Sequence, residues 1–281
     1  MSRYRRFPYD KQVTDPWLIR SVHPGNADAG QSVDIVVVSY NCLAHLKRCI
    51  GSIRQHADLA YTLLVVDNAS TDGTREYLNS LPGATVILNT RNWGYARACN
   101  QGANAGQGRY ILLLNADTAA TPGWLSALVR GFQSDSQIAV VGPKLVDFQN
   151  RIVSAGVIGS NASPRIRGWM KPDDPGLYAR PIDCLSVSGA AYMIRRDLIP
   201  VLGLFDESYF FYYEETDYSY NARRHGYRVV YWPYSRMYHA VSGASGNKSG
   251  QELRQMFSES ERYFRAKWAD FLKEEREYGD G

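Results

Sequence analysis

The chain has 281 residues, of which 44% are hydrophobic and 21% charged, ordinary proportions for a globular protein able to bury a core as one large α/β domain or two small ones. Thirty-two Lys and Arg against 28 Asp and Glu leave a formal charge of +4, too small a basic excess to make nucleic acid the expected partner. No stretch reaches the roughly 18 consecutive apolar residues of a membrane span. The N-terminal MSRYRRFPYD is basic but has no apolar segment behind it, which argues against a secretory signal. The four cysteines, Cys42, Cys49, Cys99 and Cys184, form no C-x-x-C pair, so reduced thiols in a cytoplasmic protein are expected. The Asn-x-Ser triplet at Asn161 is then a chance match. The unusual count is tyrosine, at 20.

Residues 1–32 are polar and punctuated by Pro8, Pro16, Pro24 and Gly25, and read as an extended arm. DIVVVSYN (34–41) is a β-branched run suited to a buried parallel strand. Leu43, Leu46, Ile50 and Ile53 then recur at helical spacing. YTLLVVD (61–67) predicts a second buried strand, and Ser70-Thr71-Asp72 open a helix. The alternation continues with a strand at 84–89, a helix at 95–106, a strand at 109–115 and a helix at 121–132 with Pro122 just inside its start. Four strand–helix units in a row predict an α/β fold with a mostly parallel sheet covered on both faces. Strands follow at 138–146 and 152–158, a long Pro-, Gly- and Arg-rich loop at 160–182, and a strand over 185–196. A helix in the second half of 205–227, with Gly226 as its C-cap, precedes a strand at 227–232. An amphipathic helix closes the chain from about 250 to 273.

Several strand and helix ends carry side chains suited to chemistry. Asp67 ends a predicted parallel strand, where ligands of such sheets bind; it could accept a hydrogen bond from a base or ribose, or simply close its turn. Asn115 and Asp117 follow the strand RYILLLN one residue apart, so that strand alternation would turn both toward one cation such as Mg²⁺ or Mn²⁺; capping of the following helix is the competing role. Glu214, Glu215 and Asp217 open a helix after an aromatic run. They either complement the helix dipole or supply a general base at the rim of a partly dry site. His239 precedes the Gly/Ser-rich SGASGNKSG (242–250), which fails the phosphate-loop spacing because Asn247 separates Gly246 from Lys248, and which reads as a mobile flap or a plain linker. No G-x-G-x-x-G follows a strand, which counts against a nicotinamide or flavin enzyme.

In order along residues 33–245, DIVVVSYN, VVDNASTDGT, NWGYARACNQG, LLLNADT, SGAAYMIRR, the FDESYFFYYEETDYSYNARRHGY stretch and His239 resemble glycosyltransferase family 2, the inverting enzymes of the GT-A fold. The aromatic–acidic stretch is most similar to the rhamnosyltransferase-like branch. The resemblance implies a nucleotide-sugar donor of UDP or dTDP type, a divalent cation (Mg²⁺ or Mn²⁺), and a glycan, lipid-linked or small-molecule acceptor, in polysaccharide, glycolipid or natural-product glycoside synthesis. It implies a GT-A catalytic domain over 33–245, with a nucleotide-sugar-binding half at 33–120 and an acceptor and catalytic half at 135–245. The arm at 1–32 and a flap and helix at 246–281 flank it.

Residue by residue, the resemblance assigns Ser39, Asn41 and Asp67 to the nucleoside, and Asn92, Gly94 and Arg97 to the donor near its diphosphate. Asn115 and Asp117 match the family's D-x-D, with Asp117 on the metal; His239 completes the metal site, and Glu215 matches the base. Gly189, Tyr212 and Tyr213 fall on the acceptor side. Two positions depart from the pattern. Asn115 replaces an acid, leaving one charged metal ligand, and Glu214-Glu215 replaces Glu-Asp, lengthening the base by a methylene and keeping Glu214 and Asp217 as rival bases.

Two other function classes compete. A sugar-nucleotide nucleotidyltransferase would want a Gly- and Lys-rich grip after the first strand, where SYNCLAHLKR stands. A non-catalytic sugar-nucleotide or glycan binder would not need Glu215 and His239. The basic residues of 160–200 (Arg165, Arg167, Lys171, Arg180, Arg195, Arg196) fit an anionic acceptor or a solvated loop. The C-terminal helix has three open roles: packing on the core, pairing in a dimer, or peripheral contact with the inner face of a membrane. The charge of −2 over 251–281 makes contact with an anionic membrane the least favoured of the three. Nine of the 20 tyrosines lie in 209–238, which marks that region as a place for stacking under sugar rings, with core packing the competing role for several of them.

Overall fold

A computed structural model describes residues 18–21, 32–241, 249–273 and 277–279. Most of the expected N-terminal arm and nearly all of the Gly/Ser-rich segment lie outside them. The arm supplies β1 (Leu18–Ser21). The repeating units follow as β2 (Val33–Ser39), α1 (Leu43–His56), β3 (Tyr61–Asp67), α2 (Thr74–Asn79), β4 (Thr85–Leu88), α3 (Tyr95–Ala105), β5 (Tyr110–Asn115), β6 (Thr118–Ala120) and α4 (Trp124–Ser134). The second half contains β7 (Ile138–Val146), β8 (Ile152–Ser154), β9 (Val157–Ser160), β10 (Ser163–Ile166), β11 (Ile182–Asp183), β12 (Ala191–Arg195), α5 (Ile199–Leu202), α6 (Glu214–Arg224), β13 (Arg228–His239), α7 (Gly250–Lys267) and β14 (Glu277–Tyr278).

The main sheet runs β1-β4-β3-β2-β5-β12-β7-β13-β11. It is parallel from β4 through β5, as the alternating units require. β12 then runs antiparallel to both β5 and β7, and β13 returns parallel to β7. Every residue of β2 is buried because both faces of the sheet are covered. Val33, Ile35 and Val37 pack with α1 and α4, whereas Val36 and Val38 pack with α3, α6 and α7. At Gly102 the helix α3 lies so close that an added Cβ would sit 2.3 Å from Val36 Cγ1, so a glycine is required there. Asp34 is the polar exception in β2. It is sealed in the core and held by the Gly108 N–H at 2.7 Å and Arg196 Nη2 at 2.6 Å. The four cysteines are free and buried, and burial pushes the Cys49 and Cys184 thiols up to about 12.

Several boundaries differ from the sequence reading: β13 runs on to His239 past the expected end at 232, and the strand expected over 152–158 is divided into β8 and β9. The strand expected over 185–196 is confined to β12, because a turn at Ser188 and Gly189, closed by Ala191 N–H to Ser188 O, interrupts it. The loop of 160–182 contains the hairpin strand β10. Helix α4 starts at Trp124 after Gly123 at φ 76°, so Pro122 lies outside it. The last helix ends at Lys267 rather than near 273.

Candidate functional site

The carboxyl ends of β2, β3 and β5 meet at one edge of the sheet. Because β12 runs antiparallel, its amino end joins them there, and the Asn115 N–H donates to Ala190 O at 3.0 Å. At the end of β3, Asp67 is fully buried. Its carboxylate accepts from the Ser70 N–H at 3.0 Å and from the Ser70 hydroxyl. Burial pushes its pKa above the ordinary carboxylate value, and the Ser70 bonds oppose that shift. Asp67 therefore does close its turn. Asn41, at φ 49°, crosses to the same turn and accepts from the Thr71 N–H at 2.7 Å, while its own N–H donates to Ser70 Oγ. Ser39 is buried against the Cys42 thiol.

A second turn abuts the first through three buried amides that sequence reasoning missed. Asn89 Nδ2 donates to Asn68 Oδ1 and to Gln101 Oε1, both at 2.8 Å, and Gln101 Nε2 returns a bond to Asn89 Oδ1 at 3.0 Å. Asn68 Nδ2 then donates to Gly94 O at 3.0 Å. Their only sequence signal is polarity at positions where a strand end and the inner face of α3 would otherwise be apolar. Asn92 accepts from the Gly94 N–H at 2.9 Å. Gly94, at φ 86°, leaves room for Phe210, whose carbonyl oxygen would lie 2.5 Å from an added Cβ and which accepts from the Tyr95 N–H at 2.7 Å. The Arg97 guanidinium lies 3.9 Å from the Trp93 ring centroid and that of Arg91 3.4 Å, close enough for cation–π attraction to fix both.

Asp117 is not on the strand with Asn115. β5 ends at Asn115, and Ala116-Asp117 form a turn into β6, so strand alternation does not align the pair. Helix capping is not its role either, since α4 begins later, at Trp124. What Asp117 meets is His239. The antiparallel register sets His239 opposite Thr118 and brings His239 Nε2 to 3.3 Å from Asp117 Oδ1, both side chains being largely buried. The buried His239 Nδ1 has no hydrogen-bond partner among the described residues. No cluster of three or more His, Cys, Asp or Glu side chains suited to a metal occurs among the described residues. One carboxylate and one imidazole are a partial donor set, which suits a hard cation completing its shell with water and phosphate oxygens.

The three acids of α6 have three different fates. Asp217 accepts from Trp268 Nε1 at 2.7 Å, Tyr209 Oη at 3.1 Å and Lys267 Nζ at 2.9 Å; it anchors α6 to α7 and is no free base. Glu214 is only 4% exposed and its Oε2 has no partner among the described residues; burial, then the adjacent Glu215, push its pKa well up. Glu215 is partly exposed, its Oε1 accepts from Thr216 Oγ1 at 3.3 Å, and burial raises its pKa too. Gly189 forms its floor, since an added Cβ would lie 3.2 Å from Glu215 Cγ. Tyr212 and Tyr213, at φ 71° and 72°, deliver these acids, and two successive non-glycine residues there cost about 1–2 kcal/mol each. The Tyr212 and Tyr213 rings turn to Phe257 of α7, and Tyr213 also meets Phe264. Four of the nine tyrosines of 209–238 are core, since Tyr209, Tyr218, Tyr220 and Tyr231 are at most 2% exposed, while the other five are half-buried or exposed.

Residues 34–202 match the family described as glycosyl transferase family 2, well over half of the chain. The chain belongs to that family. It is 25% identical over 248 residues to an N-acetylglucosaminyl-diphospho-decaprenol L-rhamnosyltransferase of Mycobacterium tuberculosis, covering 78% of this chain and 79% of the relative. A hyaluronan synthase of Pasteurella multocida is 29% identical over 132 residues, which is 45% of this chain and 14% of that one. Among solved structures, GalNAc-T7 with UDP, GalNAc and Mn²⁺ superposes with a TM-score of 0.67 at 19% identity, over 86% of this chain and 49% of that chain. A mannosyltransferase of Pyrobaculum calidifontis with GDP-Man and Mn²⁺ gives 0.59 at 19% identity, over 91% of this chain and 68% of that one. The fold of this glycosyltransferase is the GT-A fold. No helix among its described residues is long and apolar enough to cross a membrane.

Proposed function

We propose that this glycosyltransferase moves a hexosyl or deoxyhexosyl unit, with inversion, from a nucleoside-diphosphate sugar to a hydroxyl of a lipid-diphosphate-linked or glycan acceptor. The observation that carries the reading is the sorting of the three acids on α6. Asp217 is saturated by three donors and Glu214 is sealed from solvent, while Glu215 is open beside Gly189 with one weak bond. Glu215 is then the base. It takes the proton of the acceptor hydroxyl as that oxygen attacks the anomeric carbon from the face opposite the diphosphate. The anomeric carbon–oxygen bond breaks, and the nucleoside diphosphate departs with the bonding pair.

The turn of Asn41, Asp67 and Ser70 would flank the nucleoside, and the Asn92–Arg97 turn the diphosphate, which the amide network would hold in register. Asp117 and His239 would hold a divalent cation, whose charge would offset that of the leaving diphosphate. The relative named for an N-acetylglucosaminyl-diphospho-decaprenol acceptor supports the lipid-linked acceptor class.

The test is a thermal-shift screen of nucleotide sugars with and without Mn²⁺, followed by turnover of Glu215→Gln with the donor that binds. Turnover should fall by a factor of roughly 10² or more while donor affinity holds. Near-normal turnover by Glu215→Gln would refute the assignment of the base.

A further inference from the structure

Among the described residues, five of the ten exposed large hydrophobic side chains come from one thirty-residue excursion, at Phe148, Ile166, Trp169, Met170 and Leu177. Leu177 is 63% exposed and Trp169 46%. Such clustering is not the scattered exposure usual on a monomer surface. The backbone beneath is firmly tied. The Met170 N–H donates to Ile152 O and the Ile152 N–H to Lys171 O, both at 2.7 Å. Lys144 Nζ and Arg236 Nε hold Asp173 at 2.8 and 3.3 Å. The apolar side chains are therefore displayed on a fixed frame.

The charge around them is mainly basic. Arg165, Lys171 and Arg180 are exposed and form no ion pair among the described residues, Asp173 is already neutralised by its two cations, and Asp174 is the one exposed carboxylate between them. Exposed Trp, Leu and Met in one segment with unpaired Arg and Lys suit the headgroup–acyl boundary of an anionic bilayer. The position fits as well. β7 runs parallel to β13 and Val146 is paired with Tyr238, next to His239, while Ile152 of β8, which carries the Met170 and Lys171 bonds, is paired with Val146. The patch therefore springs from the edge of the sheet that carries the site.

We infer that the surface of Ile166, Trp169, Met170 and Leu177, with Arg165, Lys171 and Arg180, docks this protein on an anionic lipid bilayer. The inference rests on the lipid-linked acceptor of the proposed function, since it puts the site beside the surface from which such an acceptor projects. It assigns the membrane contact to this excursion and not to α7, for which the sequence makes that role the least favoured of three.

The test is sedimentation of the full chain with phosphatidylcholine vesicles, with and without phosphatidylglycerol, in the absence of donor and acceptor. Its outcome is therefore independent of glycosyl transfer. The protein should sediment with the anionic vesicles and not with the neutral ones, and rising salt should release it. Trp169→Glu with Leu177→Glu should cut the bound fraction by roughly tenfold or more. The set Arg165→Gln, Lys171→Gln and Arg180→Gln, which leaves the apolar residues in place, should do the same. Nucleoside diphosphate binding, followed by calorimetry, should be unchanged in both variants and reports that they are folded. The inference is overturned if the wild type stays in the supernatant with anionic vesicles, binds neutral ones equally, or is matched in binding by both variants.

Discussion

The two sides of the site are held in different ways. The turns after β2, β3 and β4 are fixed from nearby in the chain. Asp67 bonds Ser70, Asn41 bonds Thr71, and Asn89 bonds Asn68 and Gln101, across separations of at most 30 residues. The segment that presents Glu215 is fixed from far away. Ser260 donates to Phe211 O at 2.8 Å, Lys267 and Trp268 close on Asp217 some 50 residues earlier, and Phe257 and Phe264 cover Tyr213. The first side is a set of short turns on parallel strands that order themselves as the sheet forms. The second is a strained pair of tyrosines that stays in place only while α7 is docked. Damage to the first side should show in donor binding, and damage to the second in stability and turnover.

The largest effect is expected at the joint between α6 and α7. Asp217→Ala strands the buried Trp268 Nε1 and Tyr209 hydroxyl and leaves Lys267 with Asp206 alone, at a cost of about 3 kcal/mol in urea unfolding. Asp217→Asn keeps one acceptor oxygen and should cost about half as much. The Asn variant should also retain most turnover once corrected for the folded fraction, as an anchor would and a base would not. Turnover as low as that of Glu215→Gln would return Asp217 to the chemistry.

The next effect belongs to the donor side. Asn89→Leu fills similar volume but leaves Asn68 Oδ1 and the Gln101 amide without partners, a loss of about 2 kcal/mol in stability. Because those amides tie the Asp67 turn to Gly94, nucleoside diphosphate affinity should fall, with kcat at saturating donor changed far less. Calorimetry and a donor titration check this. Unaltered affinity in a destabilised variant would reduce the network to packing.

The same contrast explains what the sequence could reveal. The strand–helix units up to α4 were legible because each is a local pattern, period two or continuous apolar for buried strands and period 3.6 for helices. The order of motifs from DIVVVSYN to His239 was legible as a family resemblance, and the family match over 34–202 bears out its part up to SGAAYMIRR. The pairing of Asp117 with His239 could only be expected through that resemblance, because a β6–β13 register 121 residues apart makes it. The strand argument for Asn115 and Asp117 failed because a two-residue turn breaks alternation. The sorting of Glu214, Glu215 and Asp217 was not legible at all. All three stand in one helical turn, and what separates them is which of them α7 and the sheet happen to cover. Which four of the nine tyrosines of 209–238 are core was hidden for the same reason, since composition does not distinguish a ring under Phe264 from one facing outward.

The smallest and most diagnostic change is Glu214→Gln. Burial and the neighbouring Glu215 hold the Glu214 carboxyl protonated well above its ordinary value of 4.5. Below that value the folded and unfolded chains both carry the proton, so Glu and Gln should be equally stable. Above it the unfolded chain releases the proton while the folded chain keeps it. The folded wild type therefore loses ground as pH rises, until the buried group itself titrates. Gln, which has no proton to release, should gain on the wild type by up to about 1.4 kcal/mol between pH 5 and pH 6. Melting temperatures of the pair at these two pH values read this directly. Turnover at neutral pH should change little, because Glu214 is only 4% exposed and is not open to an acceptor hydroxyl. The acid limb of the pH–rate profile belongs to Glu215, whose pKa burial also raises, so activity should fade as pH drops through a value above 4.5 in both proteins. A variant that is inactive at neutral pH, or one whose stability advantage shrinks as pH rises, would mean that Glu214 carries the working charge and that the order of the two acids is reversed.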